Sequence, residues 1–397
     1  MRIRFKKADL LPAAAIVQSV ANPQSTLPIL SNILIHTDHD NVVSLSATDY
    51  ETRVRIQVAA EVEKKGTATL PAKTFYDLVK ELPEDEDVTV EVKDKSAAVK
   101  SKGIRAELQT MPAKDFPKWP ELTTKVSFEI EQRELKRLLS KILFAVPVRD
   151  PRKVLLGALF EFRKGLLNAV ATDGKILAFV QHAIQGDKAP QDLNVVIPHK
   201  MLEELTRTLG DEGLVTMEVD DRQIAFTFNN LTLISNQVEG KYPNYNAVIP
   251  KEFSRDLRFQ KSPMGSAIRR ASILSDVKNA AISMAFSGDT VTVEAESYDK
   301  GRISEEVPAN TDGDDFKIVF NYKFVGEVLK SIDTDEVVLQ VNQPTSPAVF
   351  RGSENSDSFY LVMPIKLTEL ADYDEQGAGR ADDREAEYSG AEMDEEP

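Results

Sequence analysis

A threefold internal repeat constrains this chain more than any other feature of its sequence. The run SLSATDYETRV places Asp49 after an alternating apolar stretch, and NAVATDGKILA places Asp173 in the same setting 124 residues later. A further 124 residues along the chain, VEAESYDKGRI has Ser297 at the position of the two aspartates. A repeat of this length indicates successive domains of one fold, because each copy is long enough to bury its own core.

Two further markers recur in the same order. The runs LPAKTFYDLVKEL, IPHKMLEELTRTL and FNYKFVGEVLKSI begin at Leu70, Ile197 and Phe320, with spacings of 127 and 123 residues. A proline-containing run then closes each copy: MPAKDFPKWPEL, GKYPNYNAVIP and VMPIKL. Together the markers predict three domains and a tail, with boundaries at 1–122, 126–251, 252–367 and 368–397.

Each copy combines two helical patterns with short alternating runs. Apolar residues at helical spacing predict two of the helices: Phe75, Leu78, Val79 and Leu82, then Leu135, Leu138, Leu139 and Ile142. Asp9 is predicted to cap the first helix, with Pro12 in its first turn. Runs such as VTVEVKDKSAAVKS predict antiparallel strands. We therefore expect an α+β fold in which every domain packs two helices on antiparallel sheets of about eight strands.

The negative charge of the chain is concentrated at its C-terminal end. The net charge is −15, and the segment after Leu367 holds twelve acidic and two basic residues, a net of −10. The rest of the chain therefore carries only −5, which does not exclude a nucleic-acid partner. The segment has too few apolar residues to fold alone, which predicts disorder; a tail that binds a partner is the alternative.

The sequence shows no pattern that is specific for catalysis or for a metal. It has no cysteine and lacks the glycine-rich nucleotide motifs, H-E-x-x-H and G-x-S-x-G. The run HTDHDN at 36–41 is interpreted as a polar hairpin turn, with a metal site as the alternative. Because Asp49 and Asp173 share one repeat position, a role at strand ends is favoured over catalysis. We expect no enzymatic activity, metal or cofactor, and, without a signal peptide or membrane span, a cytoplasmic location.

Basic side chains recur on the predicted helices, off their apolar faces. They are Lys73, Lys80, Lys136, Arg137, Lys141, His199, Lys200, Arg207, Arg269, Arg270, Lys323 and Lys330. An ordinary solvated helix surface is one explanation. If equivalent helices face one shared surface, however, their charges add into a track that contacts phosphates without reading bases. Neighbouring glutamates, such as Glu203 and Glu204, should keep this contact weak and sensitive to salt.

The combination of these runs resembles the bacterial DNA polymerase III beta subunit family, the processivity sliding clamps. The resemblance covers residues 1–367 and is carried, in the family's order, by TLPILSNILI, LSATD, LPAKTFYDLVKELPE, MPAKDFP, VATDGKILA, VIPHK and LVMPIKL. It implies two chains closed head-to-tail into a homodimeric ring, with helices lining a hole for duplex DNA. It also implies a non-catalytic subunit that tethers the replicative polymerase and is opened by a separate loader. The alternatives are a peptide-binding scaffold that does not encircle DNA, or an enzyme that uses Asp49 or Asp173.

The resemblance further implies a pocket for short peptides that bear Gln, Leu and Phe. These peptides belong to the polymerase III alpha subunit, the clamp loader, other DNA polymerases and repair proteins. By position, the pocket maps onto Leu155, Thr172, Gly174, Lys175, Leu177, Pro243, Val248, Asn321, Phe324, Leu361, Met363, Pro364 and Ile365. Lys175 and Ile176 stand where many members have His and Arg, and Ala247 stands where Arg is common, so we expect an altered peptide preference.

Two further residue sets follow from the same resemblance. Sequence-independent contacts to double-stranded DNA are expected from Lys73, Arg149, Arg152, Lys153, Lys200 and Lys278. Gln24 replaces a commonly basic residue, so one contact is expected to be lost. The dimer interface is expected to pair Ile273 and Leu274 with Leu108, and Ala106 stands where some members have a larger Phe.

Overall fold

The contacts of the chain group its three repeats into two compact units. The computed structural model describes residues 1–39, 41–184, 192–276, 279–311, 313–354 and 357–366. The first unit comprises residues 1–169 and 182–241, and the second comprises residues 170–181 and the described residues from Tyr242 onward. The predicted acidic tail at 368–397 lies outside the described residues.

Within the described residues, the three sequence repeats contain the following elements. The first has β1 (Arg2–Lys6), α1 (Lys7–Val20), β2 (Asn32–His39), β3 (Val42–Thr48), β4 (Thr52–Ala59), β5 (Glu61–Lys64), β6 (Thr67–Pro71), α2 (Ala72–Glu81), β7 (Asp87–Lys93), β8 (Ser96–Ser101) and β9 (Ile104–Gln109). The second has β10 (Val126–Glu131), α3 (Gln132–Ile142), β11 (Gly157–Arg163), β12 (Leu166–Thr172), β13 (Ile176–Ala183), β14 (Leu193–Pro198), α4 (His199–Thr208), β15 (Leu214–Val219), β16 (Gln223–Phe228) and β17 (Leu231–Asn236). The third has β18 (Arg255–Gln260), α5 (Lys261–Leu274), β19 (Ala281–Ser287), β20 (Thr290–Ser297), β21 (Gly301–Thr311), β22 (Phe316–Asn321), α6 (Tyr322–Ser331), β23 (Glu336–Val341), β24 (Ala348–Gly352) and β25 (Ser358–Val362). The predicted α+β class, with two helices and about eight strands per repeat, is confirmed.

Strand pairing explains why the first two repeats share a unit. One sheet of the first unit has the order β5-β1-β7-β8-β9, and another runs β10-β15-β16-β17-β4-β3-β2-β6. The second of these sheets is continuous across the two repeats, because β17 pairs antiparallel with β4. In the second unit, β13 pairs antiparallel with β25, and the sheet continues through β24, β23, β18, β21, β20 and β19 to β22.

Sequence periodicity accounts for the core of these elements. Along β4, the buried Val54, Ile56 and Val58 alternate with polar residues, as expected of a strand with one face on the core. The predicted apolar stripe of α3 is fully buried, with Leu135, Leu138, Leu139 and Ile142 each 0% exposed. Each such side chain stabilises the fold by about 1.5–3 kcal/mol.

The first helix begins three residues earlier than the predicted N-cap at Asp9 implies. It starts at Lys7, so Asp9 lies in its first turn rather than at the N-cap, and Pro12 lies inside the helix. Lys7 is only 2% exposed, and its Nζ donates to the backbone oxygens of Lys80 (2.9 Å) and Leu82 (2.5 Å) at the end of α2. These carbonyls have no intrahelical donor, so a lysine from another helix satisfies them.

The first helical residue makes an equivalent contact in the other two repeats. In the third repeat, Lys261 Nζ donates to the backbone oxygen of Ile332, just past α6, at 2.8 Å. In the second repeat, Gln132 Oε1 accepts from the backbone N–H of Gly210, past α4, at 3.0 Å. One polar side chain thus fixes the start of one helix to the end of the other in every repeat.

Candidate functional site

Asp49 closes the turn between β3 and β4 in the first unit. Its Oδ1 accepts from the backbone N–H groups of Glu51 (3.1 Å) and Thr52 (2.6 Å). Thr48 Oγ1 donates to the backbone oxygen of Thr52 and accepts from Tyr50 N, both at 3.0 Å. Tyr50 adopts a φ of 75°, which is unfavourable for a bulky residue.

Asp173 builds the same turn in the second unit. Its Oδ1 accepts from the backbone N–H groups of Lys175 (2.7 Å) and Ile176 (2.8 Å). Thr172 Oγ1 donates to the oxygen of Ile176 (2.7 Å) and accepts from Gly174 N (3.0 Å). Gly174 has a φ of 90°, which glycine adopts without strain. The geometry confirms that the repeated aspartate has a structural role at a strand end.

The second turn leads into a strand pair that carries an apolar wall. Leu177 of β13 lies opposite Leu361 of β25, and the two are 2% and 3% exposed. Two residues along, the rings of Phe179 and Phe359 stack with centroids 4.7 Å apart, and Tyr245 lies 6.1 Å from Phe179. These aromatic residues were missed from sequence, although Phe179 and Phe359 share the strand face of the two leucines at a spacing of two.

The segment after β25 is held by two backbone hydrogen bonds. Met363 N donates to the oxygen of Lys175, and Ile365 N donates to the oxygen of Val319, both at 2.8 Å. Met363 is 37% exposed, whereas Pro364 and Ile365 are half-buried. The chain therefore runs from the start of β13 toward the end of β22 with an accessible thioether on its surface.

The other predicted pocket residues are divided between the units. Asn321 caps α6, because its side chain accepts a backbone N–H of the helix at 2.9 Å, and Phe324 is half-buried in the first turn. Pro243 is exposed and Val248 is 50% exposed, on either side of a short 3-10 turn. All of these belong to the second unit. Leu155 belongs to the first unit, where it is 1% exposed.

Lys200, a predicted DNA contact, is engaged in an ion pair within the first unit. Its Nζ lies 2.5 Å from Oδ2 of Asp49, and so links the start of α4 to the end of β3. Nearby on the same helix, Glu204 accepts a hydrogen bond from Ser19 of α1 (3.0 Å), and Arg207 donates to the same serine (2.6 Å). This polar contact and the β4–β17 pairing together hold the first two repeats to each other.

The other predicted DNA contacts lie at the surface. Lys73 pairs with Asp77 at 2.9 Å. Arg152 donates to both carboxylate oxygens of Asp150 (2.9 and 2.8 Å), and these hydrogen bonds lower the pKa of Asp150 to about 2. Arg149 and Lys153 are exposed, as is the neutral Gln24, and Lys278 lies outside the described residues.

Most of the helix cations also face a carboxylate. Lys136 pairs with Asp211 at 3.2 Å, and Lys330 pairs with Glu327 at 2.7 Å. Lys141 is 4% exposed, so its placement on a solvent-facing basic track was wrong. The spacing of α3 allowed this position to be interpreted as surface, whereas packing around the end of the helix encloses it.

The predicted interface residues lie on an edge strand of the first unit and at the end of helix α5 in the second. Leu108 is on β9, the last strand of its sheet, and is 9% exposed, while Ala106 is half-buried. In the second unit, Ile273 is 67% exposed and Leu274 is half-buried. Nearby in the fold, residues 301–308 of β21 pair with β20 alone, and only residues 309–311 also pair with β18.

The run HTDHDN lies in a hairpin between β2 and β3, as predicted, but the strand extends further into the run than a simple turn would. Strand β2 continues through His39, and His36 Nδ1 lies 2.7 Å from Thr67 Oγ1 of the adjacent strand. His39 is paired with Val42 of β3. Among the residues that the structure describes, no group of three or more His, Cys, Asp or Glu could hold a metal, and no helix is long and apolar enough to span a membrane.

Comparison with known proteins gives consistent matches over the three repeats. Family models of the DNA polymerase III beta subunit match its N-terminal domain at residues 1–120, its central domain at 129–244 and its C-terminal domain at 246–366. The beta sliding clamp of Pseudomonas putida is 31% identical over 370 residues, which covers 92% of this chain and 100% of that protein.

Solved structures give the same result. The sliding clamp of Pseudomonas aeruginosa bound to griselimycin has a TM-score of 0.88 and 31% identity, and the sliding clamp of Bartonella birtlesii bound to griselimycin has a TM-score of 0.88 and 28% identity. Each alignment covers 92% of this chain and 100% of the other. The chain therefore belongs to the DNA polymerase III beta subunit family of sliding clamps, which confirms the prediction that it is not an enzyme.

Proposed function

We propose that two copies of the chain close head-to-tail into a ring around duplex DNA, and that the second unit of each copy docks partner peptides. The observation that carries the docking proposal is the wall of Leu177 and Leu361, extended by three aromatic rings and the accessible Met363. The domain boundaries at 1–122, 126–251 and 252–367 are part of the same proposal.

The docking surface suits a short linear peptide with two apolar anchors. Burying a Leu or Phe side chain contributes about 1.5–3 kcal/mol. After the cost of association, two anchors correspond to affinities on the order of micromolar. Such affinity allows exchange, so the polymerase III alpha subunit, the clamp loader, other polymerases and repair proteins can take turns at one surface.

Ring closure is supported by two strand edges on different parts of the chain. In the described residues, β9 ends one sheet, and residues 301–308 of β21 leave one side of a second sheet unpaired. An unpaired edge is a template for a strand from another copy. Because the two edges differ, one copy's β9 meets its partner's β21, which is a head-to-tail arrangement. The exposed Ile273 supplies an apolar contact that such closure would bury.

The charge distribution is suited to DNA that is enclosed rather than tightly gripped. Lys73, Arg152 and Lys200 each lie beside a carboxylate, so a phosphate must compete for them. The resulting contacts are weak and screened by salt, which a closed ring tolerates. A clamp for chromosomal replication in a bacterium would work in the cytoplasm.

Retention on DNA tests the ring. The protein is loaded onto nicked circular DNA with a clamp loader and ATP, and half of the sample is then linearised. We expect retention on circles and loss from linear DNA, together with a native mass of roughly twice 44.1 kDa. Equal retention on both forms would refute the topological tether.

Substitution of one accessible side chain tests the docking surface. A labelled peptide that bears Gln, Leu and Phe is titrated against Met363→Ala and against Leu214→Ala, a control in the first unit that is 51% exposed. Losing a partly exposed apolar contact of about 1 kcal/mol predicts that Met363→Ala binds the peptide about fivefold more weakly. The affinity of the Leu214→Ala control should not change. Equal affinities would contradict the proposed surface.

A further inference from the structure

We infer that the acidic segment 368–397 covers the docking surface of its own chain and competes with partner peptides, an inference that rests on the proposed function. The segment holds twelve acidic and two basic residues. Relatives that match over their full length cover only 92% of this chain, and the C-terminal family model ends at residue 366. The acidic segment is thus an addition to the shared clamp.

The chain enters this segment directly from the docking surface. Met363 and Ile365 are fixed by backbone hydrogen bonds to Lys175 and Val319, both at 2.8 Å. Lys366 follows at once, and an extended chain advances about 3.5 Å per residue. The first residue of the acidic segment therefore starts within about 7 Å of Lys366, and its first acids can reach the adjacent surface without a long linker.

Three lysines near this exit provide charge complementarity. Lys175, Lys323 and Lys366 are exposed, and none forms an ion pair with a described residue. This distinguishes them from helix lysines elsewhere, such as Lys73 and Lys330, which face carboxylates. The backbone oxygen of Lys175 accepts the hydrogen bond from Met363 N. Lys323 lies in the first turn of α6, where the helix dipole adds positive potential.

Tethering makes even a weak contact effective. A segment on a short flexible linker has an effective concentration of about 1 mM. An ionic contact with a dissociation constant of about 0.5 mM would then cover the surface about two thirds of the time, and peptide affinity would fall about threefold. Because the contact is between exposed charges, salt should abolish it.

The experiment measures the affinity of four proteins for one uncharged, labelled peptide that bears Gln, Leu and Phe. They are the unaltered chain, a chain truncated after Leu367, the Lys323→Gln/Lys366→Gln variant, and that variant with the truncation. A fifth protein keeps the segment's length but replaces its twelve acids by Asn and Gln. Neither lysine belongs to the proposed docking set.

At about 50 mM salt we expect truncation to tighten binding about threefold, and charge removal to do the same. The gain should shrink in the lysine variant and vanish at about 0.5 M salt, since both remove the ionic contact. Equal affinity with and without the segment would overturn the inference while leaving the docking surface intact. The inference would also be overturned if truncation tightened peptide binding by the same factor in the unaltered chain and in the Lys323→Gln/Lys366→Gln variant. Failure of every variant to bind would refute the proposed function, and the inference with it.

Discussion

The β4–β17 pair of the first unit and the β13–β25 pair of the second are two versions of one strand junction. Each follows the same threonine–aspartate turn, with matching hydrogen bonds at Asp49 and Asp173. Arg53 stands at the repeat position of Leu177, 124 residues earlier. Arg53 lies opposite Ile234, whereas Leu177 lies opposite Leu361.

That one exchange distinguishes the structural junction of the first unit from the proposed docking surface of the second. Among the described residues, no hydrogen-bond partner reaches the buried Nε and Nη1 of Arg53, and burial lowers the pKa of its guanidinium. A charged group at this position gives no apolar wall to a peptide. The comparison teaches that the repeat preserves backbone pairing while the side chains opposite the strand partner differ, and we propose that this difference determines which junction binds a peptide.

The largest expected effect comes from removing the apolar wall. Leu177→Ala should lower the free energy of unfolding by about 2–4 kcal/mol, because Leu177 is 2% exposed, and should weaken peptide binding at least about tenfold. Leu177→Met is the matched control, and it should lower the free energy of unfolding by less than about 1.5 kcal/mol. Urea unfolding and peptide titration give the two quantities; unchanged peptide affinity in Leu177→Ala would contradict the assignment of the wall.

The two turn aspartates should differ in what they support. Asp49→Ala removes the acceptor of two backbone N–H groups and the partner of Lys200 at 2.5 Å, so we expect a loss of unfolding free energy of about 2–3 kcal/mol with peptide binding unchanged. Asp173→Ala should lower the free energy of unfolding by about 1–2 kcal/mol. It should also weaken peptide binding, because the turn of Asp173 positions Lys175 and Leu177. Equal peptide affinity in the two variants would remove the functional distinction.

The arginine at the first junction should be replaceable. Arg53→Leu should raise the free energy of unfolding by about 1–2 kcal/mol, since it removes two buried N–H groups that lack acceptors. Arg55→Leu, two residues away, should lower it by about 0.5–1 kcal/mol, because the Arg55 guanidinium lies 4.0 Å from the ring centroid of Trp119. Changes of the same sign in urea unfolding would show that the orphaned groups are not the cause.

The smallest effects should come from the turn residue with positive φ. Gly174→Ala should destabilise by about 1 kcal/mol, because a side chain is strained at a φ of 90°. Tyr50→Gly should stabilise by about 0.5 kcal/mol, since it relieves the same strain at a φ of 75°. Thermal unfolding of both variants measures the difference, and a loss of stability in Tyr50→Gly would show that contacts of the ring outweigh the strain.

Local features of the fold were predictable from the sequence. The buried stripe of α3 followed from helical spacing, and the role of Asp49 and Asp173 followed from their shared position at a strand end. Both depend on residues within one turn or one helix face. The proposed docking residues came from family resemblance, because spacing alone does not distinguish a leucine that contacts a peptide from a leucine that packs only within the core.

Long-range contacts were not predictable in the same way. Lys7 is buried against the end of α2, more than seventy residues away, and no local pattern in the sequence indicates this contact. The ring contacts of Phe179, Phe359 and Tyr245 likewise depend on strand partners that no periodicity specifies. For the same reason, the sequence did not indicate that β4 pairs with β17 and so joins the first two repeats in one sheet.

The carboxylates beside Lys73, Arg152 and Lys200 have a consequence for motion along DNA. When a phosphate takes one of these cations, an internal ion pair at 2.5–2.9 Å is given up, so the net free energy of each exchange is small. As the proposed ring moves, the free energy of binding each successive phosphate would be nearly the same, so no position along the DNA would be strongly favoured. Friction between the proposed ring and the DNA would thereby be low, and the polymerase rather than the clamp would determine the rate at which the enclosed DNA passes.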